Sequence, residues 1–361
     1  MAGQSQHSAE VKLSCRNLWK IYGDQAHRFF DGRKGAVDDP AALAERIRAS
    51  GNIVAVCDVT FDVRVGEIFV IMGLSGSGKS TVIRCLSRLV EPTAGEVMLD
   101  GADLLRAPPD ELIQVRRHKM GMVFQNFGLL PHLNVVDNVA FPLRLQGVPR
   151  AERMERAERV IELVGLKGRE NAFPNQLSGG QQQRVGIARS LAIDPELWFL
   201  DEPFSALDPL IRRQMQDEFL RLQQLLRKSI VFITHDFLEA LRIADRMAIM
   251  RDGAIVQIGS PAELVLNPAD SYVTEFTNEV PIARVLTAAD VLDPRAPVRD
   301  APRIDGRARL DELMPQLARR PEGVVVLNPA GDVLGVATAN SVVNALAAGR
   351  PALAASQGLR A

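Results

Sequence analysis

The stretch Ile68-Phe69-Val70-Ile71-Met72-Gly73-Leu74-Ser75-Gly76-Ser77-Gly78-Lys79-Ser80-Thr81 leaves a run of five apolar residues through three glycines and two serines, then places a lysine. The apolar run is strand-length and continuous, as in a strand buried on both faces. The segment after it has little side chain to pack with. What it offers is backbone N–H groups and one positive charge, which suits a bound phosphate. The spacing Gly73-x-x-x-x-Gly78-Lys79-Ser80, with a strand before it and a helical pattern from Thr81 to Leu89 after it, fits a phosphate loop. The glycines let N–H groups curl round β- and γ-phosphates, and the start of the following helix adds its partial positive charge. Lys79 is expected to reach the β/γ oxygens, and Ser80 to offer its hydroxyl to Mg²⁺.

Two further motifs belong to the same chemistry. Leu197-Trp198-Phe199-Leu200-Asp201-Glu202 is an apolar run that ends in two carboxylates. A buried strand that presents acids at its C-terminal end puts them where open α/β sheets hold their ligands. Asp201 suits Mg²⁺ coordination through water, and Glu202 suits a general base that polarises an attacking water. Leu177-Ser178-Gly179-Gly180-Gln181 precedes an amphipathic helix, so the serine hydroxyl and free N–H groups at its start form a second anion-seeking element.

With LSGGQ, the glycine loop and LDEP in this order, the sequence resembles the nucleotide-binding subunit of ATP-binding cassette (ABC) transporters over roughly Leu13 to Val280. The resemblance implies an α/β P-loop NTPase (RecA-like) sheet with an antiparallel β subdomain and an inserted α-helical subdomain. It implies ATP as ligand, held by Gly73, Leu74, Ser75, Gly76, Ser77, Gly78, Lys79, Ser80 and Thr81. It also implies that Tyr22 stacks on adenine, that Gln125 reaches the metal and the water, and that His235 contacts the γ-phosphate. Ser205-Ala206-Leu207-Asp208 matches the loop that crosses a dimer interface. In that family two cassettes pack head to tail, so Ser178, Gly179, Gly180 and Gln181 of one copy close over the glycine loop of the other. A homodimer is therefore expected, seated on an integral membrane permease at the inner face of the cell membrane, with a solute-binding protein as an indirect partner.

The wording of EIFVIMGLSGSGKST, RRHKMGMVFQNFGLLPHLNVVDNVAF and AIMRDGAIVQIGSPAEL, with a polar insertion from Gly23 to about Asn52, is similar to the glycine betaine/proline/choline importer branch. Within the insertion Asp39-Pro40 reads as a helix cap and first turn, with Leu43 and Ile47 one turn apart. This helix reads as solvated, with no part in choosing a substrate. Another amino acid or a polyamine remains the alternative cargo. A DNA-repair type of ABC ATPase would need a long heptad coiled coil between its ATP motifs, and Ser80 to Leu177 has no room for one.

A formal net charge of −1 over 361 residues gives no basic face for nucleic acid. Three cysteines, Cys15, Cys57 and Cys85, have no metal-ligand spacing. Apolar runs are shorter than the ~20 residues of a membrane helix, so a cytoplasmic chain is expected. Val11–Tyr22 reads as an edge strand, Val54–Val65 as a half-buried strand, 127–191 as the helical subdomain, and Arg246–Ile258 as a hairpin turning at Asp252-Gly253. Composition shifts near Val280, which predicts domains at 1–280 and 281–361. The second holds a helix (Asp311–Arg319), a hairpin and a final helix from about Asn340, and it resembles one cystathionine-β-synthase-type (CBS) motif.

Overall fold

The computed structural model describes residues 10–24, 26–30, 34–124, 128–205, 207–277, 283, 285–297, 301–328 and 330–348. The chain divides into two compact units, 1–258 and 259–361.

In the first unit an antiparallel sheet is formed by β1 (Val11–Tyr22), β2 (Ile53–Arg64), β4 (Ala94–Leu99) and β5 (Ala102–Asp103), in the order β2-β1-β4-β5. β1 is therefore an interior strand and not the edge its weak alternation suggested. Leu13 pairs opposite Leu99 and Trp19 opposite Ala94 along its second side. β4 gives little signal in the sequence because its first residues, Ala94-Gly95-Glu96, are half-buried and lack β-branched side chains.

The second sheet holds β3 (Ile68–Met72), β6 (Met120–Val123), β7 (Leu197–Asp201), β8 (Ser229–Thr234), β9 (Arg246–Arg251) and β10 (Ala254–Gly259). Their order is β10-β9-β3-β8-β7-β6, with β9, β3, β8, β7 and β6 parallel. Every residue of β3, β7 and β8 is buried, which is what continuous apolar runs predict for strands covered on both faces. Helix α2 (Lys79–Leu86) begins two residues earlier than the expected Thr81. Its Val82, Ile83 and Leu86 share one core with Leu13 and Val59 of the antiparallel sheet and with Phe69, Phe199 and Val231 of the parallel one. Each such burial contributes roughly 1.5–3 kcal/mol. The helix that follows the glycine loop is thus anchored by both sheets.

The insertion does more than lie on the surface. Helix α1 (Pro40–Ala49) starts at the Asp39 cap, as expected, and buries Leu43, Ala44 and Ile47. These pack with Trp19, Ile21, Phe30, Val54 and Cys57 as a small core of their own. The reading of a solvated helix is corrected to this extent: its apolar stripe has a partner, the outer face of β1 and β2.

Helices α3 (Pro109–His118), α4 (Val135–Leu145), α5 (Arg150–Leu163) and α6 (Gly179–Leu191) fall between β5 and β7. Asn138 on α4 is fully buried. It accepts from the N–H of Leu130 and donates to the carbonyls of Leu130, Leu133 and Asn134, so the loop before α4 has a fixed shape. Helices α7 (Pro209–Leu226) and α8 (Phe237–Ile243) complete the unit. All three cysteines are free and buried, and burial pushes the Cys57 thiol up to about 11.

The second unit contains α9 (Pro261–Leu266), α10 (Ser271–Thr277), β11 (Arg303–Asp305), α11 (Leu310–Arg319), β12 (Val324–Leu327), β13 (Val333–Ala337) and α12 (Ala339–Ala348). β11 and β12 are parallel, and β12 and β13 antiparallel. Leu310, Leu313 and Leu317 of α11 pack on Leu286, Val324 and Val326. The unit begins before the composition shift at 280 because Ala262 and Leu266 of α9 pack on this same core.

Candidate nucleotide site

The loop from Gly73 to Gly78 leaves β3 at the middle of the parallel sheet and is gripped on two sides. A Cβ on Gly73, at φ +153°, would stand 2.3 Å from the carbonyl oxygen of Met250. One on Gly78, at φ +98°, would stand 2.3 Å from the carbonyl oxygen of Ala55. Both positions need glycine for conformation and for space. The N–H of Gly253 donates to the carbonyl of Ser77 at 3.1 Å, and the carbonyl of Gly253 accepts from the N–H of Cys57 at 2.9 Å. The β9–β10 turn and β2 therefore wedge the loop in place.

Lys79 opens α2 and is almost fully buried. Its Nζ donates to the carbonyls of Gly73 and Leu74, both at 2.9 Å. Burial lowers its pKa from the ordinary lysine value, while the negative charges of Glu202 and Asp201 hold it up. Beside it the buried hydroxyl of Ser77 lacks a hydrogen-bond partner. A buried cation, an orphaned hydroxyl and the partnerless N–H groups of a helix's first turn together make an anion cradle.

The two carboxylates at the end of β7 do different things. Asp201 is buried and accepts from Ser80 Oγ at 2.8 Å. Burial raises its pKa, and the Ser80 bond works against that rise. Glu202 turns out of the strand at φ +47°, a left-handed conformation that costs a non-glycine residue about 1–2 kcal/mol. Its N–H donates to the Ile233 carbonyl at 3.1 Å, and its own carbonyl accepts from Ser205 Oγ at 3.0 Å. The twist swings its carboxylate to His235, whose Nδ1 lies 3.1 Å from Glu202 Oε2. His235 follows β8, which pairs directly with β7.

A profile described as ABC transporter matches residues 56–205. The trimethylamine N-oxide transport system ATP-binding protein TmoW of Ruegeria pomeroyi is 54% identical over 334 residues, spanning 92% of this chain and 94% of that protein. The chain belongs to the ATP-binding subunits of ABC transporters. TmoW of Pelagibacter ubique is 56% identical over 281 residues, 78% of this chain and 81% of its own length. The glycine betaine/proline betaine protein ProV of Salmonella typhimurium is 42% identical over 353 residues, 97% of this chain and 85% of its own. Among solved structures, the dimeric bacterial ABC transporter cassette MJ0796 is 33% identical with a TM-score of 0.57, covering 69% of this chain and 98% of that one.

This ABC subunit thus gathers the glycine loop, Lys79, Ser80, Asp201, Glu202 and His235 at the C-terminal ends of β3, β7 and β8. Thr81, next along α2, follows Ser80 on the same turn. Ser178 lies elsewhere, exposed at the start of α6, where it and Gln181 form a capping box. Among the described hydrogen bonds none joins this turn to the glycine loop. Its neighbours are the start of α7: a Cβ on Gly180 would be 2.7 Å from Ile211 Cγ2, and one on Gly179 would be 3.8 Å from Leu207 Cδ2. Asp208 caps α7 by accepting from the N–H of Ile211 at 3.1 Å. Tyr22 ends β1 and is partly exposed. Gln125 lies outside the described residues.

Some contributors carry no signal in the sequence. Ala55 and Met250 support the loop through backbone atoms, so their residue types say nothing of it. Arg212 on α7 donates to Asp236 Oδ2 at 3.4 Å and to the Leu207 carbonyl at 3.2 Å. It thereby links the segment before α7 to the one after His235. Only its position four residues after Asp208, on the same helical face, could have pointed to it.

Proposed function

We propose that this chain is the ATP-hydrolysing subunit of an importer for a small methylated amine, with trimethylamine N-oxide, glycine betaine and choline as the candidate cargoes. The chemistry rests on one observation, the pairing of Ser80 with Asp201 and of Glu202 with His235 beside a buried lysine and a glycine cradle. The cargo class rests on the relatives, whose names specify trimethylamine N-oxide and glycine betaine. The alignment to TmoW of Ruegeria pomeroyi is long enough that it must run into the second unit.

In this reading the loop from Gly73 to Thr81 binds the β- and γ-phosphates, with Lys79 turning a donor from its own loop carbonyls to the γ-phosphate. Tyr22 stacks on the adenine. Glu202 accepts the proton of the attacking water, and ATP and water yield ADP and inorganic phosphate. His235 holds Glu202 in place and meets the γ-phosphate. Ser80 Oγ and Asp201, with Gln125, suit Mg²⁺: they are oxygen donors, and a hard cation prefers one or two carboxylates plus phosphate oxygens. Among the described residues no cluster of His, Cys, Asp and Glu could hold a metal by itself, which fits an ion shared with the phosphates. When bound, Mg²⁺ draws charge from those phosphate oxygens.

Two copies are proposed to sandwich ATP, each placing its Ser178–Gln181 turn on the other's glycine loop. The exposed position of that turn, with no hydrogen bond to its own loop among the described ones, supports this. A permease supplies the membrane path, since no helix among the described residues is long and apolar enough to cross a bilayer. The Asn138-fastened loop before α4 is the proposed docking face. The β-α-β-β-α order of the second unit supports a CBS-like regulatory role.

The test is uptake in a strain lacking the gene. Uptake of at least one of labelled trimethylamine N-oxide, glycine betaine or choline is lost on deletion, with labelled proline measured beside them as an unmethylated amino acid. It returns with the wild-type gene and stays absent with Lys79→Ala. Uptake of all three methylated amines unchanged by deletion, whether or not proline uptake falls, would contradict the cargo class.

A further inference from the structure

Lys20 and Tyr22 stand two residues apart on β1 and so share one face of the strand. Lys20 Nζ lies 4.8 Å from the centroid of the Tyr22 ring, and it donates to the backbone carbonyl of Glu91 at 2.8 Å. The second contact matters because Glu91 belongs to the connection between α2 and β4. It pins the ammonium over the ring from a neighbouring element. Tyr22 keeps 43% of its surface exposed, and Ile53, directly opposite it on β2, keeps 66%. Cross-strand partners project to the same side of a sheet. An aromatic ring and a branched aliphatic side chain are thus left together in solvent at the end of a strand pair, and Ala55, two residues along β2 from Ile53, is the residue whose carbonyl crowds Gly78 of the glycine loop.

From this arrangement we infer that Lys20 is a positioning residue for purine binding: its ammonium occupies one face of Tyr22 so that the other face takes the base. The inference rests on the reading of Tyr22 as the base-stacking residue. Two physical effects follow from the contact. The cation draws π-electron density to its own side, which makes the far face a better partner for an electron-rich purine. It also fixes the ring before the nucleotide arrives, so less side-chain freedom is lost on binding. Lys20 itself touches no part of the nucleotide in this arrangement. Its influence travels through the ring.

The experiment measures binding of ATP and of inorganic tripolyphosphate to the full chain by calorimetry, in EDTA to prevent turnover. The variants are Lys20→Met, Lys20→Arg, Tyr22→Ala and Lys20→Met combined with Tyr22→Ala. Lys20→Met is expected to weaken ATP binding about three- to fivefold, the worth of an exposed cation–π contact. Tripolyphosphate, which has no base, binds unchanged. Lys20→Arg retains wild-type affinity because it keeps a cation over the ring. In the Tyr22→Ala background, Lys20→Met has no further effect. An equal loss for ATP and tripolyphosphate would overturn the inference, as would the same loss with Tyr22 already removed, or no loss at all. If Tyr22→Ala alone leaves ATP affinity unchanged, the stacking reading beneath it fails instead, and the role of Lys20 fails with it.

Discussion

The carbonyl oxygen of Ala55 occupies the place a side chain on Gly78 would need: a Cβ there would stand 2.3 Å away. Residues from β2 and from the glycine loop, far apart in sequence, are fitted to each other at the entrance to α2. Gly76 in the same loop has φ +81° but open space around it.

This contrast predicts two outcomes for one type of substitution. Gly78→Ala must push β2 off the loop as well as strain its backbone, so ATP affinity is expected to fall by an order of magnitude or more. Its melting temperature is expected to fall with it. Gly76→Ala meets only the backbone penalty, of about 1–2 kcal/mol, and is expected to fold with a smaller loss. Calorimetric binding and thermal unfolding on both variants check the ordering. Equal behaviour of the two would show that the contact with Ala55 does not shape the loop.

The turn at Ser178 is predicted to serve a neighbouring copy. Ser178→Arg removes the α6 cap, which costs about 1 kcal/mol, and places a bulky cation on an exposed surface. ATP binding by the single chain is expected to stay within about twofold of wild type, while hydrolysis is abolished. Binding is read by calorimetry and hydrolysis by phosphate release. Full hydrolysis in this variant would contradict a composite site.

How far the sequence foretold this arrangement depended on whether the signal was local. Ile68–Met72 and Leu197–Asp201 are continuous apolar runs, and both are strands at the bounds their residues suggested. The pairing of Ser80 with Asp201 was foreseeable because each sits where its element ends, one at a helix start and one at a strand end. Trp19 and Ile47 share a core that no local pattern announces, which is why the insertion helix read as solvated. The same applies to β1, whose interior position depends on β4, a strand with only weak alternation. The left-handed turn at Glu202 was also hidden, since it is tertiary packing that holds an ordinary side chain at positive φ.

A cluster away from the site sets a pH dependence of stability. Asp100 accepts from Lys119 Nζ at 3.0 Å and pairs with Lys12 Nζ at 2.7 Å, and Lys12 also binds Glu196. Burial acts to raise the Asp100 pKa, but the two lysines outweigh it and leave the carboxyl below its ordinary 3.8. A depressed carboxylate adds stability at every pH above its unfolded value and loses it as pH falls through the folded one. Wild type is therefore expected to lose this contribution only below about pH 4. Asp100→Asn lacks it throughout, so its melting temperature is lower at pH 7 and the gap closes towards pH 2. A gap that stays constant across this range would contradict the ion-pair account.

The two-copy account is tested most directly by the mass of the ATP-loaded Glu202→Gln chain, measured by light scattering during size exclusion. With the proton acceptor replaced, hydrolysis is expected to fall about 10²–10⁴-fold while ATP still binds, so the closed state accumulates. A dimer holding two ATP molecules, which disperses when Lys79→Ala is added, is the predicted result. A monomer that holds its ATP under the same conditions would contradict the account.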